Sequence, residues 1–277
     1  MIRKLLESYS RDKIIKRHLP KRLGGDPIFV TPDSALRYWS PNLDSTFQPL
    51  FRWAENYVAK GDVVWDIGAN VGLFGFAAAH VAGIAGAVIA LEPDAFLVEL
   101  LRRSAAGQST DCAPVTIVPA AVSDEIHLAS FSVAARGRSA NHLSDVSGST
   151  MHGGARRTDC VLTVTLDWLC ATCPPPDVVK IDVEGAEMLT LRGGSTTLTD
   201  HRPLVICESR LTTRDEVTHF LRKHDYALLD ADDPHGGELN VVCYNTLAVP
   251  RERAGSLKSA TTLKSIDAPS HSEHPQW

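Results

Sequence analysis

The sequence lacks the features typical of membrane-spanning and nucleic-acid-binding proteins. No stretch reaches the roughly 18 uninterrupted apolar residues of a membrane span, and residues 1–30 contain no continuous apolar core of a signal peptide. The net charge is −5 and there is no long basic run, which argues against a partner with a phosphate backbone. We therefore expect a cytoplasmic protein that binds no nucleic acid.

Few of the cysteines stand at a metal-binding spacing. The six cysteines are dispersed, and only Cys170-x-x-Cys173 has the spacing of half a zinc site. A structural zinc site needs a second such pair. We therefore expect no metal or redox role for this pair, and we expect a small buried thiol at Cys207, which lies in an apolar run.

The length and the apolar content allow one large domain. With 277 residues, 44% of them hydrophobic, the chain can form an α/β domain with short additions. We expect an N-terminal helix and extension at 1–45, a central domain at 46–249 and a tail at 250–277. Apolar residues become rare in the tail while Ser, Thr, Pro and His accumulate, so we expect it to be disordered.

Residues 1–20 are basic and carry a helical apolar pattern. Ile2, Leu5 and Tyr9 recur at helical spacing among Lys and Arg residues. We expect a packed N-terminal helix with a solvated basic face. The alternative is a helix that contacts a membrane surface through residues 1–17.

One stretch has the pattern of a nucleotide-binding strand, turn and helix. An apolar run ends at Asp66, a turn with Gly68 and Gly72 follows, and Leu73–Ala79 then has helical character. Glycines let the backbone turn tightly and approach a ligand, and the helix N-terminus presents free N–H groups to it. The alternative is an ordinary strand-to-helix turn that Asn70 caps.

The residue types in this stretch indicate which ligand it binds. Asn70 stands where a dinucleotide fingerprint has its second glycine, so the pyrophosphate pattern fails. The carboxylate of Asp66 suits a cationic group, and S-adenosylmethionine carries an α-amino group, a sulfonium and no phosphate. The next apolar run ends at Glu92, 20 residues after Gly72, where such folds place the carboxylate that binds a ribose diol. NAD folds share that acid, but its combination with Asp66 favours the methyl donor.

The order of several motifs matches that of a known family. Besides the turn at 66–72 and Glu92-Pro93, these motifs are Leu166–Leu169, Val179–Glu187 and Arg202–Glu208. Together they make the chain resemble the FkbM family of S-adenosylmethionine-dependent methyltransferases, over roughly 45–249. The resemblance implies O-methylation of a hydroxyl on a sugar, glycolipid or other natural product. The implied partner is a small-molecule or glycan acceptor, and the oligomeric state stays open.

The implied fold is the Rossmann-like class I methyltransferase fold. It has a seven-stranded, mostly parallel sheet with an antiparallel terminal hairpin and helices on both faces. Two apolar runs, Tyr226–Leu229 and Val241–Asn245, are joined by a turn rich in Asp, Gly and Pro and predict that hairpin. A hairpin at the end of the sheet fits this fold better than an NAD fold.

The donor-binding residues are expected at the carboxyl ends of the first three strands. In this architecture the adenine is usually held after the third strand, at Pro119–Asp124. The resemblance also implies a donor contact from a Glu-Pro pair early in the preceding helix, where this chain has Gln48-Pro49 and so lacks the charge. The expected donor-binding set is Asp66, Gly68, Asn70, Gly72, Glu92, Pro93, Ala121 and Val122.

Catalysis should need a base, since a sugar hydroxyl is a weak nucleophile near neutral pH. Asp182 is the first candidate because it ends the fourth strand at the edge that Asp66 and Glu92 share, and Glu184 and Glu208 follow. A metal is the less favoured alternative. Asp182 and Glu208, joined by Asp232 or Asp233, offer hard oxygen ligands for Mg²⁺.

The segment between the third and fourth strands has little periodicity. His127–Val133 alternates as an antiparallel strand, whereas Arg136–Arg157 is rich in Gly, Ser, His and Arg. Such a stretch is either a binding loop or disordered. His142 and His152 lie in it; we expect both to be solvated, and the alternative is that they reach an acceptor.

Two other functions remain as alternatives. An NAD-linked oxidoreductase needs the glycine that Asn70 replaces, and the sequence has no evident Tyr-x-x-x-Lys or comparable hydride-transfer dyad. A non-catalytic nucleotide-fold binding module would tolerate loss of the acids at the strand ends. This chain has all four of them, at Asp66, Glu92, Asp182 and Glu208. Separate titrations with S-adenosylhomocysteine and with NAD distinguish a methyltransferase from an NAD-linked oxidoreductase.

Overall fold

The structure, a computed structural model, describes residues 2–144 and 154–255. The helices are α1 (Ile2–Tyr9), α2 (Leu43–Thr46), α3 (Gln48–Tyr57), α4 (Leu73–Ala82), α5 (Ala95–Ala105), α6 (Leu166–Thr172), α7 (Glu187–Arg192), α8 (Ser195–Asp200) and α9 (Arg214–Lys223). The strands are β1 (Ile15–His18), β2 (Pro27–Val30), β3 (Val63–Ile67), β4 (Ala87–Leu91), β5 (Val115–Val118), β6 (Ala121–Val122), β7 (Leu128–Ala134), β8 (His142–Leu143), β9 (Ala155–Val164), β10 (Val178–Ile181), β11 (Leu204–Glu208), β12 (Tyr226–Asp230) and β13 (Asn245–Pro250).

Within this described part of the chain, a seven-stranded sheet forms the centre. The strand order is β5-β4-β3-β10-β11-β13-β12. The first five run parallel, and β13 is antiparallel to both β11 and β12. The chain builds outward from β3 to β5 and then returns to place β10 on the other side of β3. A crevice opens at such a reversal, beyond the carboxyl ends of the strands. The fold is therefore the expected class I methyltransferase architecture.

Apolar side chains on the two faces of this sheet form two cores. Because side chains alternate along a strand, Val64 joins the core formed with α3, α4 and α5, whereas Trp65 and Ile67 join the core formed with α6 to α9. Both cores contain fully buried side chains, for example Phe51 in the first and Leu221 in the second. Full burial of such side chains contributes about 1.5–3 kcal/mol each, which holds the strand ends of the sheet in place.

A second, four-stranded sheet stands beside the crevice. Its order is β6-β9-β7-β8. The expected strand at 127–133 is confirmed as β7, and it pairs antiparallel with β9. Since β6 begins shortly after β5 ends, this sheet continues from the carboxyl edge of the central sheet.

The expectation of a helix through residues 1–20 is wrong beyond Tyr9. The chain turns at Asp12, whose φ is +53°, and residues 15–18 form β1, which pairs antiparallel with β2. Ile14 and Ile15 are β-branched and favour an extended backbone. Strand pairing overrides the helical pattern here, and Ile28 and Val30 of β2 are fully buried.

The expected position of the final strand is also wrong. The structure forms β13 at Asn245–Pro250 and not at 241–245. Leu247, Ala248 and Val249 are fully buried in the sheet, whereas Val241 is 44% exposed. The more deeply buried of two adjacent apolar runs therefore pairs with β11. The division at 1–45, 46–249 and 250–277 stays a prediction, and 256–277 lie outside the described residues.

Two smaller expectations concern the thiols and the membrane. Cys207 is fully buried, as predicted. No helix in the described ranges combines the length and the apolar character needed to cross a bilayer.

Candidate functional site

The turn after β3 brings two strand ends into contact. Gly68 has a φ of +74°, and a Cβ there would lie 1.9 Å from the carbonyl oxygen of Asp182. Only glycine permits this approach. Gly72 has a φ of +84°, and a Cβ there would meet the side chains of Phe76 and Leu101. Gly68 therefore positions the strand ends, whereas Gly72 serves the packing of α4.

Glu92 is a buried carboxylate at the end of β4. Its Oε2 accepts a hydrogen bond from the backbone N–H of Asn70 at 2.8 Å, and its Oε1 accepts one from Asp94 at 2.9 Å. The side chain is 5% exposed. Burial raises the pKa of Glu92 to about 8, against the lowering effect of these two N–H donors. A carboxylate so poorly solvated gains from further hydrogen-bond donors in the adjoining space.

That space is a cavity of about 270 Å³ at the carboxyl edge of the central sheet. It brings together most of the residues that the sequence singled out. The predicted residues that line it are Gly68, Asn70, Glu92, Pro93, Ala121, Val122, Asp182, Glu184 and Glu208. Ala120–Val122 supply an apolar part of its lining, and their expected role in holding adenine stays a prediction. Asp66 and Gly72 do not line this cavity.

Asp66 has a partner within the protein. Its Oδ1 lies 3.3 Å from the Nζ of Lys180, and its Oδ2 accepts a hydrogen bond from the N–H of Gly75 at 3.0 Å. The carboxylate is completely buried and borders only a smaller neighbouring cavity of about 90 Å³. Lys180 already supplies a cation to this carboxylate. The expected contact between Asp66 and a cationic group of the ligand stays a prediction.

Lys180 is a functional candidate that the sequence reasoning missed. It is 5% exposed, and its Nζ lies between Asp66 and Asp182, 3.4 Å from the latter. Burial alone lowers the pKa of Lys180, but the carboxylates of Asp66, Asp182 and Glu208 outweigh this and raise it above its ordinary value. The signal was a lysine inside the otherwise apolar run of β10.

Three carboxylates meet on the side of the cavity away from Glu92. Oxygen atoms of Asp182, Glu184 and Glu208 all lie within 4.8 Å of one another. Glu184 has a φ of +50° and accepts a hydrogen bond from Arg210. Glu208 accepts a hydrogen bond from the hydroxyl of Tyr244.

Glu208 differs from its two neighbours in its electrostatic surroundings. Burial, followed by the Asp182 and Glu184 carboxylates, raises the pKa of Glu208 to about 7, although Tyr244 and Lys180 act to lower it. Asp182 is ion-paired with Lys180, and Glu184 with Arg210. Among the described residues, Glu208 forms no ion pair with a Lys, Arg or His side chain, and the pKa of its carboxyl is about 7.

The metal alternative stays a prediction, but the acid that lies beside Asp182 and Glu208 is not Asp232 or Asp233. Glu184 joins Asp182 and Glu208, whereas Asp232 accepts hydrogen bonds from Trp53 at 3.0 Å and Asn245 at 2.9 Å. Each of the three clustered carboxylates already has a donor partner in the protein. These donors compete with a cation for the oxygen lone pairs.

The second sheet supplies a wall of the cavity, and part of it comes from Arg136–Arg157, for which the sequence left a binding loop open. Phe131 of β7 and Leu143 of β8 line it, together with His142. His142 was expected to be solvated; instead it is partly buried, with its Nδ1 3.1 Å from the carbonyl oxygen of Ala140. His152 lies outside the described residues.

A buried ionic cluster holds this wall against the central domain. Arg138 is 3% exposed; it lies 2.7 Å from Asp33 and 3.0 Å from Asp12, and it also pairs with Asp94. Its guanidinium lies over the ring of Phe96, 4.5 Å from the centroid. Arg138 thus joins the wall, the N-terminal segment and the start of α5.

Arg37 brings a cation to the cavity. It lines both the large and the small cavity, and its guanidinium lies 4.6 Å from the ring centroid of Phe47. Among the described residues no carboxylate forms an ion pair with it. Gln48 lies elsewhere, in a surface hollow beside Arg22 and Asp44.

Comparisons with known proteins find similarity to methyltransferases. The family model for the methyltransferase FkbM domain matches residues 66–228. The hexuronic acid methyltransferase AglP of Haloferax volcanii is 25% identical over 203 residues, which cover 65% of this chain and 75% of that protein.

Solved structures of methyltransferases also align with the chain. A methyltransferase FkbM from Methylobacillus flagellatus KT aligns with a TM-score of 0.45 and 13% identity, over 76% of this chain and 60% of that one. A precorrin-6y C5,15-methyltransferase from Geobacter metallireducens GS-15 aligns with a TM-score of 0.42 and 14% identity, over 73% and 84%.

Proposed function

The chain belongs to the FkbM family of S-adenosylmethionine-dependent methyltransferases, and from this premise we propose that it O-methylates a sugar that carries a carboxylate. One observation carries the proposal. A single cavity combines a ribose-binding type of acid, Glu92, with a cluster of acids headed by Glu208 and with the cation of Arg37. Glu92 suits the donor, and the acid cluster suits a reacting hydroxyl. Arg37 suits an anionic group on the acceptor.

The residues around Glu92 fit the donor. Two of its carboxylate lone pairs are used by backbone N–H groups, which leaves others for the hydroxyls of a ribose. Ala121 and Val122 offer an apolar surface for a base, and the turn at 68–70 leaves room for the methionine portion. Bound there, S-adenosylmethionine would supply a methyl group activated by the adjacent sulfonium.

The protein's own task is to orient the acceptor hydroxyl and to accept its proton. We infer that Glu208 is the base, because its raised pKa allows it to take up a proton near pH 7. Asp182 is ion-paired with Lys180, and Glu184 with Arg210. We therefore assign these two acids the roles of positioning the hydroxyl and raising the pKa of Glu208. This ranking differs from the sequence-based one, which put Asp182 first.

The acceptor is inferred from the charge of the cavity. Four acids in one cavity repel an anionic acceptor unless a cation offsets them, and Arg37 is placed to do so. A guanidinium binds a carboxylate through two parallel hydrogen bonds. The related enzyme AglP is named for a hexuronic acid, which carries such a group.

Replacing Arg37 with Gln is expected to raise KM for an acidic sugar roughly 10- to 100-fold, the loss of one charge-assisted contact, with little change in kcat. Steady-state kinetics with a uronic acid glycoside and its neutral glucoside measure the effect. The exposed Arg192 provides the control substitution, Arg192→Gln. Equal KM changes for the acidic and neutral acceptors would contradict a carboxylate contact.

Donor affinity should depend on the ionisation of Glu92. The ionised carboxylate is the better acceptor for ribose hydroxyls, and its pKa is about 8, so S-adenosylhomocysteine affinity should rise from pH 6 to about pH 8 and then level off. Calorimetry in buffers of different ionisation enthalpy should detect the proton released on binding.

The variant Glu92→Gln tests the same contact. It keeps the shape but cannot ionise, so we expect affinity to fall roughly 10- to 100-fold and its pH dependence to disappear. Unchanged affinity and slope in this variant would place the ribose elsewhere.

Two steps test the proposed function itself. Titration with S-adenosylhomocysteine and, separately, with NAD should show binding of the first only. Sugar acceptors are then screened with methyl-labelled donor, and labelled products are treated with mild alkali. An alkali-stable methyl group indicates an ether on a hydroxyl, whereas release of the label indicates an ester on the carboxylate. Label found on nitrogen, carbon or sulfur would contradict O-methylation.

A further inference from the structure

The N-terminal segment presents an apolar surface to solvent. We call it the docking face and define it by Leu5, Leu6, Tyr9 and Trp39. Their exposed fractions are 66%, 46%, 62% and 38%. Single exposed apolar residues are normal on protein surfaces, but adjacent ones are not.

The members of the docking face are held together. Leu5 and Leu6 stand four and three residues before Tyr9 on α1, so all three are neighbours on the helix surface. The ring of Tyr9 stacks on that of Trp39 with centroids 5.8 Å apart. These contacts make one continuous apolar surface.

Hydrogen bonds fix the position of this surface on the domain. The Nε1–H of Trp39 donates to the Oγ of Ser10 at 2.9 Å, and Ser10 is fully buried. Arg17 donates to the carbonyl oxygens of Trp39 at 3.0 Å and Ser40 at 3.1 Å. The exposure of the two aromatic rings is therefore built into the fold.

The segment that carries most of the docking face is basic in sequence, in an otherwise acidic chain. Residues 2–18 contain six Lys or Arg residues and two acids, while the whole chain has a net charge of −5. Both acids are ion-paired: Glu7 lies 3.1 Å from Arg136, and Asp12 lies 3.0 Å from Arg138. Their negative charge is therefore largely neutralised.

The exposed cations lie close to the aromatic rings. Lys13 places its Nζ 4.9 Å from the ring centroid of Tyr9, and Arg11 and Lys16 are exposed beside it in the chain. An apolar surface with amphipathic aromatics and a basic rim is the composition that binds the headgroup region of an anionic bilayer.

Ion pairs connect the segment that carries the docking face to the wall of the large cavity. Arg136 and Arg138, the partners of Glu7 and Asp12, belong to the segment that walls the cavity, and Arg138 lines it. Trp39 is two residues from Arg37, which also lines it. A partner surface that bound the docking face would therefore lie on the side of the protein that carries this wall of the cavity.

We propose that the docking face binds an anionic lipid bilayer. Leu5, Leu6, Tyr9 and Trp39 enter the headgroup region, and Arg11, Lys13 and Lys16 attract the lipid phosphates. This binding goes beyond the methyltransferase reaction and does not depend on it. It brings the cavity within reach of an acceptor that is itself anchored to lipid.

Vesicle co-sedimentation of the full chain tests the proposal. We expect binding to vesicles of phosphatidylglycerol and phosphatidylcholine, and at least about tenfold weaker binding to phosphatidylcholine alone, with the difference decreasing at high salt. Failure of the wild-type chain to bind the anionic vesicles at low salt would overturn the proposal.

Matched variants separate the docking face from general adhesion. The pair Leu5→Gln with Tyr9→Ser and the pair Lys13→Glu with Lys16→Glu should each weaken vesicle binding about tenfold or more. The control pair Ile84→Gln with Leu211→Gln, at residues 75% and 79% exposed, should bind as the wild type does. Binding that the face variants leave unchanged would overturn the assignment.

Two further measurements complete the test. S-adenosylhomocysteine titration of each variant checks folding and is expected to match the wild type, because none of the substituted residues lines the cavity. Sedimentation velocity tests whether the face instead joins two copies of the chain. A dimer that the face variants dissociate, without vesicle binding, would overturn the proposal.

Discussion

Replacing Glu208 with Gln is expected to lower kcat by roughly 10²–10⁴-fold, the usual contribution of a general base. The amide keeps the size of the side chain and removes its basicity. The proposed donor contact, Glu92, lies at the end of β4, with β3 and β10 between it and the strand of Glu208. S-adenosylhomocysteine affinity should therefore stay close to that of the wild type. Single-turnover kinetics with the acceptor found in the screen provide the measurement.

The pH profile identifies which acid accepts the proton. The base must be ionised to act, so kcat/KM of the wild type should rise with pH through about 7, the pKa of Glu208. The Asp182 carboxylate contributes to that raised pKa. In Asp182→Asn the rise should therefore move to lower pH, whereas in Glu208→Gln it should be lost.

The reverse outcome would reassign the base. If Asp182→Asn abolishes the rise and Glu208→Gln only displaces it, then Asp182 is the base, as the sequence-based ranking had it. A profile with no rise near neutral pH in the wild-type enzyme would exclude Glu208 from that role.

Replacing Lys180 with Met is expected to cost about 3–5 kcal/mol in the free energy of unfolding, as when one partner of a buried ion pair is removed. Lys180 is 5% exposed and Asp66 is fully buried. Without the ammonium group, Asp66 and Asp182 carry uncompensated charge beside each other, and Asp66 must take up a proton or remain desolvated. Urea denaturation of the ligand-free protein measures the loss.

Two comparisons show whether the loss comes from the buried charge. The double variant Lys180→Met with Asp66→Asn should recover part of it, because it removes the stranded carboxylate as well. Arg192→Ala breaks the exposed pair with Glu216 and should cost less than about 1 kcal/mol. A Lys180→Met variant as stable as Arg192→Ala would show that Asp66 is satisfied without the lysine.

The sequence determined the central sheet because its parallel strands are buried on both faces. Such strands appear as short continuous apolar runs, as at Val63–Ile67 and Leu204–Glu208. The acids at their ends were predictable for the same reason, since parallel strands end at one edge. Glu92, Asp182 and Glu208 follow directly from that geometry and line one cavity.

Strand choice near the chain ends was decided by tertiary structure. Residues 241–245 and 245–250 are both compatible with a strand, and pairing with β11 selected the second. Likewise, residues 15–18 carried a helical pattern until β2 offered a partner. In each case the competing local conformations differ little in free energy, so burial against a distant strand decides between them.

The remaining parts of the site depend on partners far apart in the sequence. Arg138 pairs with Asp12 and Asp33, which stand 126 and 105 positions away, and Lys180 with Asp66, 114 positions away. Local patterns report which backbone conformation a segment prefers. Which charges meet, and therefore which carboxylate is left to titrate near pH 7, is decided by the free energy of burying polar groups once the chain is folded.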